Sequence, residues 1–335
     1  CVGRRTHREA GSTWVQMSFT DLLSESVDLY NKYGLRGLRA TGENFLRGLS
    51  VRLGSTVGAF SPSESLLKEE WDLLIILDAC RWDIIADVSD EYDWLNPRPT
   101  RSYASSSQDW LQKTFFAGPK SPTKRLRATM SLFREPYQND VLAAALEPRD
   151  TSDIAYITGN PQSTMLDESN FAYIEETWRN DLPHDEKSRA LTNATIKYRH
   201  ENSGKRTIVH YMKPHEPFKK DAPDGTAWQR LQWGEYPLQE LKRDYRQNLR
   251  DVLNEVEILL ENTEADNVVI TADHGNSYGE WGFYGHRPYL PLDGMRRIPV
   301  ASTSAKDKKT HEPTEIESET EVEAEEKLRE LGYIS

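Results

Sequence analysis

WDLLIILD, residues 71–78, is the stretch that decides the fold. Five large aliphatic residues stand in a row, Leu73, Leu74, Ile75, Ile76 and Leu77, and an aspartate ends them. A strand with one face in water alternates apolar and polar residues. An unbroken run predicts a strand covered on both faces, as in a parallel sheet. DIAYITG (153–159), RTIVHYM (206–212), DNVVITAD (266–273) and IPVAS (298–302) are further strand candidates. Helical patterns lie between them, over 185–200 and over 238–262. In the second, Leu241, Tyr245, Leu249, Val252, Leu253, Val256 and Leu259 form one stripe. Strand and helix in alternation predict an α/β fold, a doubly wound and mostly parallel sheet with helices on both faces. Ligands of such sheets gather at the carboxyl ends of the strands. Those ends are where chemistry is expected.

Asp78 ends the first strand, and Asp273, His274 and Gly275 end the fourth. His210 lies within the third strand and His215 just past it, in VHYMKPHEPF. His286 follows His274 by twelve residues, in FYGHRPY. Carboxylate oxygen and imidazole nitrogen suit a divalent ion such as zinc or manganese. Each residue also has an ordinary reading. Asp78 could cap the next helix, Asp-His-Gly could be a turn, and a lone histidine in an apolar strand is more often a core residue. His215 and His286 could be plain loop residues. Their joint position at strand ends favours a metal site. The serines of RSYASSSQDWLQKTFFAG (101–118) read as a loop entering a helix, where a hydroxyl gains from the helix dipole. Taken alone, they read more readily as an N-cap and a flexible serine loop.

Composition bounds the alternatives. The chain has 335 residues, 37% hydrophobic and 29% charged, enough for a core under a very polar surface. That excludes a mainly membrane-embedded, collagen-like or wholly disordered chain. Against 42 Lys and Arg there are 54 Asp and Glu, a net charge of −12, which argues against general nucleic-acid binding. Two cysteines, Cys1 and Cys80, provide neither a disulfide framework nor a zinc-finger spacing. No apolar run reaches the roughly 18–20 residues of a membrane span, and no signal-peptide pattern is visible, so a cytoplasmic location is expected.

Four divisions are expected along the chain. Residues 1–16, ahead of Met17, read as an upstream or non-native extension. Residues 17–65 form a helical segment, and 66–303 the catalytic domain. Residues 304–335, with ten acids and five bases, begin as an acidic solvated linker and end in a helix. Within the helical segment, 43–60 interleave apolar residues with Arg47 and Arg52. They pack on the main domain or make a peripheral membrane contact.

LLIILDACRWD, TADHGNSYGEWGFYGHRPY, VHYMKPHEPF and YASSSQDW together resemble motifs of the alkaline phosphatase-like superfamily. The similar branch holds the sulfatases and the phosphoethanolamine and phosphoglycerol transferases. The resemblance covers about residues 70–302, plus the final LRELGYI. It implies that Asp78, Asp273 and His274 hold a divalent metal (zinc, manganese, calcium or magnesium), with a nucleophile oxygen as the fourth ligand. Ser107 falls at the nucleophile position, with Ser105 and Ser106 as alternatives in register. His210, His215 and His286 then face the substrate or its leaving group, or hold a second metal. Two departures stand out. Cys80 falls at a leucine position and the formylglycine pattern is missing, which argues against a formylglycine sulfatase; Asn276 replaces a glutamate, while Glu280 is kept. The expected activity is metal-dependent hydrolysis of phosphate or sulfate esters on a small molecule, glycan or lipid headgroup. Two rivals are transfer of a phospho-alcohol to a glycan or lipid, and an inactive binding or scaffold protein.

Overall fold

A computed structural model describes residues 66–134, 143–180, 182–218 and 226–314, together with six isolated positions nearer the N-terminus. Apart from those six positions, of which Leu53 and Gly54 fall within 43–60, the N-terminal helical segment and the C-terminal helix lie outside the described residues. In chain order the elements are β1 (Leu73–Leu77), α1 (Trp82–Ala86), β2 (Arg98–Arg101), α2 (Ser107–Phe115), β3 (Phe116–Pro119), α3 (Pro122–Arg134), β4 (Leu146–Pro148), β5 (Thr151–Thr158) and β6 (Phe171–Glu176). There follow α4 (Lys187–Glu201), β7 (Arg206–Tyr211), α5 (Ala227–Trp233), α6 (Leu238–Glu261), β8 (Ala265–Thr271), β9 (Ser277–Tyr278), β10 (Tyr284–Gly285), α7 (Asp293–Arg296) and β11 (Arg297–Ala305).

Seven strands form one sheet in the order β2-β11-β8-β1-β7-β5-β6. β1 pairs in parallel with β7 and β8, and β5 in parallel with β6 and β7. Only β11 and β2 run antiparallel, at one edge. β3 with β4, and β9 with β10, make two small ribbons. The expected α/β class and mostly parallel sheet are what is found.

The aliphatic run of β1 sorts by parity. Leu73, Ile75 and Leu77 enter one buried cluster with the α6 stripe, Leu241 to Leu259, while Leu74 and Ile76 enter a second with Trp110, Leu111 and Phe115 of α2. Strand side chains alternate between faces, so each face of β1 has its own helix to pack against. Burying each such side chain stabilises by about 1.5–3 kcal/mol.

Two strands of the seven-stranded sheet escaped the periodicity reading, as did the four short strands of the ribbons. β2 is RPTR, exposed at all four positions, and Pro99 there has no N–H to give a neighbour. β6 is an outer strand with no fully buried residue. At the other end, β11 runs to Ala305, and 306–314 are tied down where a solvated linker was expected to begin. Asn262 Oδ1 accepts the N–H groups of Thr310 and His311, and Asn193 Nδ2 donates to Thr314 Oγ1 at 2.8 Å.

Candidate active site

The carboxyl ends of β1, β5, β7 and β8 converge. Asp78 follows the last residue of β1, Asn160 lies two past β5, His210 is the next-to-last residue of β7, and Asp273 lies two past β8. All four are buried. Ile76 and Thr158 pair in register with His210, which sets these ends level.

Ligand atoms of Asp78, His210 and Asp273 all lie within 4.8 Å of one another. His210 Nε2 stands 3.9 Å from Asp78 Oδ2 and 3.7 Å from Asp273 Oδ2, too far for hydrogen bonds. His274 Nε2 is 3.5 Å from Asp78 Oδ1 and 3.4 Å from Asp273 Oδ2. Asp78 Oδ1, Asp273 Oδ2 and His210 Nε2 are buried without a hydrogen-bond partner among the described residues. Such atoms are costly unless something pairs them. Two carboxylates and the His210 nitrogen close together, with His274 Nε2 beside both carboxylates, fit a divalent cation, and the residues present therefore suit the metal that the sequence implies.

Electrostatics point the same way. Burial, and then the charge of Asp273, push the Asp78 carboxyl well above its ordinary range. For Asp273, burial acts upward, but the His274 and His210 rings and the Ala79 N–H outweigh it and hold it low. Two like charges this close resist joint ionisation unless a cation lies between them. Burial also pushes His210 down to about 4, so its ring is neutral near pH 7.

The serine loop is built to present one hydroxyl. Ser106 caps α2, its side chain accepting the Asp109 N–H at 3.2 Å. Asp109 Oδ2 accepts the Ser105 N–H, and Lys113 Nζ lies 2.8 Å from Asp109 Oδ1. Ser107 opens the helix and directs Oγ at the carboxylates: it donates to Asp78 Oδ2 at 3.2 Å and lies 3.4 Å from His274 Nε2. Ser105, the alternative nucleophile, instead donates to the Arg287 carbonyl and accepts the Leu290 N–H, both at 2.9 Å. That leaves it holding the loop, away from the carboxylates. Cys80 is wholly buried in the core cluster and offers no nucleophile. Asp78 does not cap a helix either; Arg81 holds the N-cap position of α1.

Hydrogen bonds fix three imidazoles in one sense. Nδ1 of His274 meets the Gly275 carbonyl at 2.8 Å, Nδ1 of His215 the Glu216 carbonyl at 2.8 Å, and Nδ1 of His286 the Asn276 Oδ1 at 3.0 Å. An oxygen acceptor there needs Nδ1–H, which leaves each Nε2 with its lone pair. The His286 ring lies 4.3 Å from that of His274 and 5.2 Å from that of His215. His286 makes no contact with Asp78 or Asp273 among the described residues, so it joins His215 in a second group beside the first. His210 differs: its Nδ1 pairs with Tyr156 OH at 2.8 Å, which sets it beneath the carboxylates and not facing a substrate.

Sequence reasoning missed Asn160, whose Nδ2 donates to Asp78 Oδ2 at 2.7 Å. The strand-end rule pointed there, since DIAYITG is followed directly by it, but only acids and histidines were sought. Ala79 was missed as well. It has φ +61°, left-handed for a non-glycine, and its N–H donates to Asp273 Oδ1 at 2.9 Å. Strain of this kind, of order 1–3 kcal/mol, collects where a site needs a particular backbone. A cavity of about 640 Å³ lies apart from these residues, between β6 and α4, lined by Tyr173, Lys197 and Tyr198.

No family model matches the chain, and no curated protein sequence is similar to it. Solved structures similar to it are phosphoethanolamine transferases, sulfatases and alkaline phosphatase-superfamily proteins. The C-terminal periplasmic domain of phosphoethanolamine transferase EptC from Campylobacter jejuni is 18% identical, over 69% of this chain and 78% of that one, with a TM-score of 0.44. The soluble domain of lipooligosaccharide phosphoethanolamine transferase A from Neisseria meningitidis is 14% identical, over 71% and 77%, with a TM-score of 0.42. Phosphonate monoester hydrolase of Agrobacterium radiobacter is 14% identical, over 69% and 67%, with a TM-score of 0.37. The chemistry of this site is read from its own side chains.

Proposed function

We propose that the chain is a metal-dependent phosphoester hydrolase with Ser107 as its nucleophile. One observation carries this reading: Ser107 Oγ is aimed from a helix N-terminus at Asp78 Oδ2 and His274 Nε2, beside carboxylate oxygens that have no partner among the described residues. Asp78, Asp273, His274 and His210, with Ser107 Oγ, would hold the cation. A divalent ion there supplies the positive charge that favours an ionised serine and offsets charge gathering on a phosphoryl oxygen.

The chain's own groups account for the proton traffic. Asp78 Oδ2 lies within reach of the Ser107 proton and can accept it as Oγ attacks phosphorus, while His274 Nε2 would be kept for the cation. An Oγ–P bond forms, the P–O bond to the departing alcohol breaks, and that alcohol leaves with the proton taken from Ser107. Water then attacks phosphorus, the Oγ–P bond breaks, and the proton given up by that water passes to Ser107. His215 and His286, with free Nε2 lone pairs, are placed to take the proton of that water. N–H groups at the start of α2 face the incoming anion.

Transfer to an acceptor alcohol in place of water uses the same residues and differs only in the second half. The substrate is a phosphorylated, or less readily a sulfated, small molecule, glycan or lipid headgroup. The buried Cys80 adds to the case against a formylglycine sulfatase. Turnover of aryl phosphomonoester, phosphodiester and sulfate ester, with added Mn²⁺ or Zn²⁺, tests the reading. Ser107→Ala should lower phosphoester turnover roughly 10²–10⁴-fold, about 3–5 kcal/mol. An unchanged rate in Ser107→Ala removes the serine mechanism, and sulfate turnover alone removes the phosphoester assignment. Product analysis with added alcohols separates hydrolysis from transfer.

A further inference from the structure

We infer that α3 is a docking helix for an anionic lipid bilayer. From Trp110 to Arg134 the chain has no Asp or Glu, although acids outnumber bases by twelve overall. Within α3 stand Lys124, Arg125, Arg127 and Arg134. Lys124 and Arg127 are exposed. The surface charge is thus inverted over this one helix.

The apolar residues of α3 face the wrong way for a helix that merely covers the core. Leu126 is 62% exposed and Met130 57%, and four residues apart they lie on one side, a turn from each other. Ala128 is 1% exposed and lies two residues from both, on the opposite side. A small residue therefore seats the helix, and its outward stripe is aliphatic with bases on its flanks.

That pairing selects the occupant. A nucleic acid would use the bases and leave Leu126 and Met130 in water. A neutral bilayer would use the stripe and not the charges. An anionic bilayer takes both, the apolar stripe entering the interface while lysine and arginine reach the headgroups. The ribbon strand β3 alone separates α3 from α2, which presents Ser107, so docking through α3 would bring the catalytic domain to a lipid surface. The surface is independent of residues 43–60 and of the reaction assigned to Ser107.

The test is co-sedimentation of the full chain with vesicles of phosphatidylcholine containing about 30% phosphatidylglycerol, and with phosphatidylcholine alone, at about 0.1 M salt. Binding to the anionic vesicles should exceed binding to the neutral ones at least tenfold. Leu126→Glu/Met130→Glu and Lys124→Glu/Arg127→Glu should each lower it at least tenfold, with unchanged melting temperatures. If the first pair fails to fold, the second, which keeps the apolar stripe, decides. Absence of binding, equal binding to both vesicles, or wild-type binding by folded variants overturns the proposal. So does a dimer in sedimentation velocity that Leu126→Glu/Met130→Glu dissolves, since a second copy would then own the face.

Discussion

The strands β1, β7 and β8 are finished differently at their two ends. At the amino ends, Arg199 from the last turn of α4 reaches under the sheet. Its Nη1 donates to the carbonyls of Asp72 and Lys205 and to Thr207 Oγ1, each at 3.1 Å, and its Nη2 donates to the Glu264 carbonyl. One buried cation thus gathers the residues that lead into all three strands; both terminal nitrogens are matched, and Nε is the one nitrogen of the group without a partner among the described residues. At the carboxyl ends of the same strands, Asp78, His210 and Asp273 crowd together with Asp78 Oδ1, Asp273 Oδ2 and His210 Nε2 unmatched among the described residues. A buried polar group whose donors nearly all meet backbone acceptors holds a fold together. One that stays open is kept at a cost in stability, and its natural explanation is a ligand or a reaction.

The sharpest way to break this contrast is Asp273→Asn. If the carboxyl end is a metal site, the variant should lose metal and roughly 10³-fold or more in turnover, about 4 kcal/mol. Its metal-free melting temperature should be equal or higher, because a buried charge beside Asp78 is gone. A metal-free variant markedly less stable than the metal-free parent would mean that Asp273 serves the fold, and the contrast would fail. Metal stoichiometry by mass spectrometry and calorimetric melting decide between the two outcomes.

Adding the ion back to the parent sharpens it further. A ligand bound only by the folded chain stabilises by about 2.7 kcal/mol at a hundred times its Kd. For a domain of this size that raises Tm by roughly 5–10 °C. The increment should appear with Zn²⁺ or Mn²⁺ and vanish in Asp273→Asn. An equal rise in both proteins would place the ion elsewhere.

The two ends were not equally legible. Five strands of the sheet and both long helices could be read in advance because Leu73–Leu77 and the α6 stripe are patterns in the order of residues. Asp78, Asp273 and His274 stood out because they follow those strands; Ser107 stood out only through the family resemblance, with Ser105 and Ser106 as alternatives, since a serine loop before a helix taken alone reads as a cap. β2 and β6 could not, since RPTR and FAYIEE at sheet edges are shaped by position more than by burial. The depth of His210 and the pairing of His286 with His215 depend on how separate segments meet, which no spacing encodes. Arg199 and Asn160 escaped for the same reason. Each acts through partners far away in sequence, 127 residues for Arg199 and Asp72, 82 for Asn160 and Asp78.

At the amino end, Arg199→Met tests the structural half. The aliphatic part of the side chain is kept and the donors are lost, leaving three carbonyls to find water. The expected cost is about 2 kcal/mol in urea unfolding, with metal content unchanged and turnover within about twofold. A large loss of turnover at full stability would show that the two ends are coupled and that the division drawn between them is false.

Asn160→Ala is the finest probe, because it changes the carboxyl end without touching a charge. Asn160 Nδ2 fixes Asp78 Oδ2, and its Oδ1 accepts the Gln162 N–H at 2.9 Å, so the amide is itself held by the turn after β5. A residue that orients a ligand typically contributes 10–100-fold in affinity or rate. At the lower bound, metal affinity should fall about tenfold, about 1.4 kcal/mol, as Asp78 gains freedom. Saturating metal should then recover most of the rate, which a residue that touches the reacting phosphoryl group would not permit. If metal affinity is unchanged and only turnover falls, Asn160 faces the substrate and Asp78 is held in place by Ser107 and the cation alone.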